Sequence, residues 1–499
     1  MDGSTIRASV SELVDTLELA EEPGVAVAVA LAGETVSRAS AGLRHPDGNV
    51  AITDATPFRI GSTTKQFAAA AALLLERDGL LDLDASIREH VPELPKLLCE
   101  VRLRHVLSCT SGIHDELDMW LLSEGLAFMS QEDGFARAFA RDTVNFPAGS
   151  RFCYNNTGFA LASLAMQRVT GMRFDEVLQE HILEPAGLQQ TRLVACDDDL
   201  PADCARTTLP SDTGFTVARF PAEITGEGGL VSTPGDLLRW NRWLRNIDDG
   251  RIFERMSTPT ALEGGGTSAY GLALISDDLR GVERIHHPGG VIGGSAQLVH
   301  YPGGDCTIAV TSNNGTLAAA DLADRIAEKL GILPPAPAIA KSGPTGHFYD
   351  IGSGRGFSLE PGELDLHVQR LPLYDQGDGT VAAYSAGMGR LIFEIDGKDT
   401  VLHEYGQTRR LDHLLLEPEI RPRGSRYCYR DTKLSFEGEQ LLIEGGNNSV
   451  VYNLHEMGGG TFAAIPTLPI PLFATVKVDE ATLRVSTLRN WNMRCERQE

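Results

Sequence analysis

Gly61-Ser62-Thr63-Thr64-Lys65-Gln66-Phe67 follows the short run Phe58-Arg59-Ile60 and leads into Ala68 to Leu75, apolar at every position. This passage reads as a strand turning into a buried helix. A spacing of three sets Ser62 and Lys65 one turn apart on a single helix face. A serine hydroxyl is a weak nucleophile until a neighbour accepts its proton. A lysine whose pKa is lowered by burial can do so, and the helix N-terminus adds a dipole that favours negative charge. A plainer reading makes Ser62 an N-cap and Lys65 a solvated first-turn residue. Against it stands the rarity of the pattern: the chain has seven lysines in 499 residues and this single S-x-x-K.

Two further patterns occur once each. Tyr154-Asn155-Asn156 follows the turn Phe146-Pro147-Ala148-Gly149. A tyrosine beside an ammonium can carry a lowered pKa and act as base, then as acid to a leaving group. Asn156 can orient Lys65 and donate to a substrate carbonyl; alternatively, the asparagines cap the next helix. His287-Pro288-Gly289-Gly290 is the one H-x-G. Glycines allow a strand to approach a ligand closely, so the Gly290 N–H together with that of Ser62 would form an oxyanion hole. The competing reading is a Gly-rich hairpin turn bearing a surface histidine.

Working outward, a chain of 499 residues exceeds one hydrophobic core and implies two to four domains. Apolar residues at 42% and charged residues at 22% are ordinary for a globular protein. A net charge of −24 argues against nucleic acid and against an anionic membrane as partners. Residues 1–332 read as mixed α and β, with strands at Val25 to Ala30, Thr35 to Ser40, Ala296 to His300 and Thr307 to Thr311, and helices between. The expected fold there is α+β: an antiparallel sheet packed by helices, with a mainly helical subdomain. Leu333-Pro334-Pro335-Ala336-Pro337-Ala338 opens a stiff linker, 333–342. Beyond it come short alternating segments rich in glycine, read as two small antiparallel β-barrels at 343–420 and 421–499.

The N-terminus shows no export signal, and no apolar stretch reaches the ~18–20 residues that span a bilayer. Eight scattered cysteines lack a C-x-x-C pair, which suggests free thiols and the cytoplasm as the expected compartment. The histidines lack metal spacing and no H-E-x-x-H occurs, so neither a metal site nor a cofactor is expected; no G-x-S-x-G occurs, so an α/β-hydrolase elbow is not supported.

The order S-x-x-K, Y-x-N, H-x-G resembles the serine β-lactamases of the Tyr-using kind, the D-alanyl-D-alanine carboxypeptidases and their esterase and D-aminopeptidase relatives. The resemblance covers roughly residues 20–330. It extends to Leu107-Ser108-Cys109-Thr110-Ser111-Gly112-Ile113, Glu184-Pro185-Ala186-Gly187-Leu188 and Gly228-Gly229-Leu230-Val231-Ser232-Thr233. It implies Ser62 as acylated nucleophile, Lys65 and Tyr154 sharing proton transfer, and Asn156, His287, Gly289 and Gly290 completing the cleft. The tail is similar to the D-aminopeptidase branch, in which a loop of the last domain enters the cleft. Here that loop is expected at Ile465-Pro466-Thr467-Leu468-Pro469-Ile470-Pro471-Leu472. Relatives that bind a carboxylate keep a cation at the third motif; His287 would be largely neutral, which favours substrates with a free amine and no nearby carboxylate. Glu227, just before Gly-Gly-Leu, is the acid that can pair with that amine, its alternative being a surface glutamate. The expected activity is hydrolysis of amides or short peptides with a free D-amino-acid N-terminus. A carboxylesterase or weak β-lactamase on the same site, and a non-catalytic penicillin-binding-fold sensor, are the alternatives. The partner is a small amide, peptide or ester; the residues do not fix an assembly, and a homodimer is the one allowed for.

Overall fold

The computed structural model describes residues 3–366, 370–385, 389–396, 399–415, 424–446, 448–468, 472, 474–478 and 482–498. Its first part is built on a six-stranded antiparallel sheet. The strand order is Ile275–Leu279, Val282–Val291, Gly294–Tyr301, Cys306–Ser312, Val25–Leu31 and Glu34–Ala41, so strands from both ends of this region meet at Val25–Leu31. Alternation along that strand sorts its side chains between two cores. Val25, Val27 and Val29 pack with Ile6, Val10, Leu322 and Ile326 of the terminal helices. Ala28 and Ala30 face the opposite way, toward Phe67, Trp240 and the large helical core. Every residue of the helix Thr64–Arg77 from Thr64 to Leu75 is buried. A helix apolar all round belongs inside a protein, which makes the buried Lys65 at its start conspicuous.

Two β-units follow. Residues 426–498 form a closed eight-stranded antiparallel barrel, as expected. Residues 346–414 form a nine-stranded antiparallel sheet that curls toward a barrel, with the strands Arg370–Pro372 and Val381–Ser385 lying against each other. The expected boundary at 420/421 lies outside the described residues. The closed barrel is not independent of the helical region. Met119, Leu121 and Leu122 of the helix Glu116–Glu124 pack into the same core as Tyr427, Phe436, Tyr452 and Val476. The Tyr452 hydroxyl donates to the Leu122 carbonyl at 2.9 Å. No helix among the described residues is long and apolar enough to cross a membrane, and all eight cysteines are free thiols.

Candidate active site

The strand Phe58–Arg59 ends in a single 3-10 turn, Gly61–Thr63, from which the helix Thr64–Arg77 continues. Gly61 takes φ +48°, and a Cβ there would lie 2.6 Å from the Gly290 carbonyl oxygen. A Cβ on Gly289 would lie 1.8 Å from the Ile60 carbonyl oxygen. Glycine is therefore required on both sides for the strand Val282–Val291 to reach the Ser62 turn. Thr63 Oγ1 fastens the pair by donating to the His287 carbonyl at 3.2 Å. Gly290, exposed, thus sits with its backbone against the turn that carries Ser62. This is a strand, not the hairpin turn of the plainer reading, and His287 within it is buried.

Lys65 Nζ lies 3.2 Å from Ser62 Oγ and donates to Asn156 Oδ1 at 2.8 Å and to the Glu227 carbonyl at 2.6 Å. Burial lowers its pKa from 10.5 to about 7; Cys109 and Glu227 pull it partly back, and Arg489 pushes it further down. A solvated first-turn lysine is thereby ruled out. The two asparagines divide their tasks. Asn155 is the N-cap, accepting from the Gly158 N–H at 2.6 Å, whereas Asn156 turns toward Lys65. The backbone N–H of Asn156 is held by the Asp115 carboxylate at 2.5 Å.

The Tyr154 ring lies 4.8 Å from Lys65 Nζ, and its hydroxyl is buried without a full hydrogen bond. Here the expectation of a lowered phenol pKa is reversed. Burial pushes Tyr154 well above its ordinary value, and the nearby Ser62 hydroxyl offsets this only in part. Desolvation disfavours a phenolate more than one shared ammonium can compensate, so Tyr154 is a proton donor at neutral pH. His287 Nδ1 contacts the Pro288 carbonyl at 2.6 Å, which can only accept, so Nδ1 carries the proton and Nε2 accepts from the Tyr270 hydroxyl at 3.0 Å. Burial, then Lys65, lowers the His287 pKa to about 3. It is neutral, as expected.

Glu227 is buried, contrary to the surface reading. Its carboxylate accepts from Thr225 Oγ1 at 3.0 Å, and burial raises its pKa. Glu227 is one of the residues lining a small cavity with Asn156, Glu223 and Phe135, a lining that does not include Ser62. The apolar loop expected in the cleft lies in part outside the described residues. Pro469, Ile470 and Pro471 lie outside the described residues, Thr467 bonds within the barrel to Val451, and Leu472 belongs to the barrel core. The segment Thr487 to Asn492 between the last two barrel strands reaches the site. Asn490 bonds the backbone of Asp115 through both ends of its amide, Asn145 Nδ2 donates to the Arg489 carbonyl at 2.9 Å, and the Arg489 guanidinium stands 5.5 Å from the Tyr154 ring centroid.

Four residues bearing on this site went unread in the sequence: Tyr270, Asp115, Arg489 and Asn490. Tyr270 and Asp115 carry no motif. The cluster of Thr487, Arg489 and Asn490 in an otherwise strand-like tail was the one available signal. Among the described residues no group of His, Cys, Asp or Glu is arranged to hold a metal ion.

The helix-borne serine and lysine, the tyrosine beside them and the glycine strand across from them form an arrangement suited to acyl transfer through serine. Comparison with known proteins agrees. The D-aminopeptidase of Gluconobacter oxydans (strain 621H) is 25% identical over 400 residues, 78% of this chain and 75% of the relative. The octameric penicillin-binding protein homologue from Pyrococcus abyssi shares the fold at TM-score 0.59 and 22% identity, over 83% of this chain and all of that one. A D-amino acid amidase from Ochrobactrum anthropi SV3, complexed with L-phenylalanine amide, superposes at TM-score 0.55 and 25% identity, over 66% of this chain and 98% of its own. With the Beta-lactamase family model matching residues 12–331, the chain belongs to that family and is a serine hydrolase of D-aminopeptidase-like sequence.

Proposed function

We propose that the protein cleaves amides and short peptides bearing a free D-amino-acid N-terminus, through an acyl-enzyme on Ser62. Neutral Lys65 accepts the Ser62 proton as Oγ bonds to the substrate carbonyl carbon. The N–H groups of Ser62 and Gly290 receive the oxyanion. The Tyr154 phenol then gives its proton to the leaving nitrogen as the C–N bond breaks, and Lys65 returns a proton to Tyr154. Water then gives a proton to Lys65 as its oxygen bonds to the ester carbon; the Oγ–C bond breaks, Lys65 returns that proton to Ser62 Oγ, and the acid departs.

The observation that carries the amine preference is the buried Glu227 carboxyl in a cavity bordered by Asn156, the residue that also holds Lys65. Burial disfavours the charged form of Glu227, and Lys65 offsets this only in part, so a substrate ammonium would stabilise its carboxylate further. Neutral His287 removes the cation that a carboxylate at the third motif would need. The test compares D-alanine p-nitroanilide, its L-enantiomer, p-nitrophenyl acetate and nitrocefin. The D-anilide should lead, and Glu227→Gln should cut the anilide-to-acetate ratio of kcat/KM roughly tenfold, the worth of about 1.4 kcal/mol of lost binding. An unchanged ratio would remove the amine from the account and favour an esterase.

A further inference from the structure

The closed barrel brings a permanent cation to the cleft. Arg489 is anchored on both sides: its carbonyl accepts from Asn145, and the next residue, Asn490, is bonded twice to the Asp115 backbone. Its guanidinium engages Asp118 through Nη1, and Asp118 also accepts from Thr487 Oγ1 at 3.0 Å. Asp118 is fully buried, and each of its carboxylate oxygens accepts one of these bonds. Arg489 Nε, however, is a buried donor with no partner, and a quarter of the side chain remains exposed beside the Tyr154 ring. An orphaned buried donor on a charged group is expensive to keep. At the edge of a reactive site it marks a place where a ligand acceptor completes the set.

The position fixes which part of a substrate would meet it. Tyr154 delivers its proton to the leaving nitrogen, and the Arg489 guanidinium lies 5.5 Å from its ring centroid, a permanent charge beside that end of the site. In a peptide that leaving group is an amine whose own carboxylate, if it is the last residue, stands two bonds from the nitrogen. Planar guanidinium matches carboxylate better than a point charge does. We propose that Arg489 is a specificity residue that binds a free carboxylate on the leaving group, so that dipeptides with an N-terminal D-residue and an ionised C-terminus are the preferred substrates. This rests on the aminopeptidase reading for the amine end, and on Arg489 alone for the carboxylate end. Because the loop is already held in place, little ordering is lost on binding.

The test uses two matched pairs on the full chain. One pair is D-alanyl-glycine and D-alanyl-glycinamide; the other is O-acetylglycolate and O-acetylglycolamide, which lack the amine. The wild type should prefer the free acid in both pairs by roughly 10- to 100-fold in kcat/KM. Arg489→Gln should bring each ratio near one, and Arg489→Lys should keep part of it. Since Arg489→Gln strands a buried Asp118, the double variant Arg489→Gln/Asp118→Asn is measured beside it and should show the same collapse. Acid preference in the ester pair without turnover of the D-alanyl pair would sink the amine reading and leave Arg489 standing. Turnover of both pairs with no acid preference, or ratios unmoved in the variants, would overturn the proposal for Arg489 while sparing the aminopeptidase.

Discussion

Replacing Lys65 by arginine keeps the positive charge but removes the option of losing it, since a guanidinium stays protonated at any working pH. With a pKa of about 7, half of Lys65 is neutral at pH 7. An ordinary lysine near 10.4 would be neutral in only about one molecule in 2,500 at that pH. Burial therefore raises the supply of base by about three orders of magnitude, within the range that general-base catalysis contributes. The sign follows directly: activity requires the deprotonated form, so kcat/KM should rise with pH, tenfold per unit below about 6, and level off above about 8. Phenyl acetate is the suitable substrate because it has no group that titrates in this range. Lys65→Arg should fall at least a hundredfold at pH 8 and lose the inflection. Glu227 raises the Lys65 pKa and Arg489 lowers it, so Glu227→Gln should move the inflection down and Arg489→Gln should move it up. A flat profile from pH 5 to 9, an inflection near 10, or an active Lys65→Arg would refute Lys65 as the base.

Two other outcomes follow from contacts around the same serine. If Lys65 and Tyr154 act as one unit, Lys65→Met and Tyr154→Phe should each be severe and the double variant little worse, because losses within a unit do not add; multiplicative losses would show separate roles. Gly289→Ala forces a methyl carbon onto the Ile60 carbonyl oxygen, so the strand must withdraw from the Ser62 turn; hydrolysis should drop at least tenfold with a lowered melting temperature, and a wild-type rate would show that the strand does not complete the site.

The legible part of this protein was the part encoded by short-range spacing. Ser62 and Lys65 share a face because a helix repeats every 3.6 residues, and the all-apolar stretch after them announced a buried helix. Val25 to Ala30 announced a strand buried on both faces, and the Pro-rich segment announced the change to all-β sequence. Asn155 and Asn156 could not be told apart as cap and ligand until the helix start was placed at Asn156. The direction of the Tyr154 shift was out of reach for a different reason. It depends on how completely Tyr270, His287 and the barrel loop enclose the phenol, which is tertiary burial and not spacing. Arg489 was missed because its partner, Asp118, lies on a helix far earlier in the chain, and their meeting depends on that helix filling the barrel core. Polar side chains of Thr487 to Asn492 cross to the Asp115 and Asn145 region, and no spacing in the sequence marks that crossing.

The central claim is that Ser62 is the residue acylated. Intact-mass and peptide-level mass spectrometry after treatment with a serine-directed fluorophosphonate tests it most directly. One adduct per chain, mapped to Ser62 and absent together with all turnover in Ser62→Ala, is the predicted result. Labelling that persists on another serine in Ser62→Ala, with turnover retained, would contradict it.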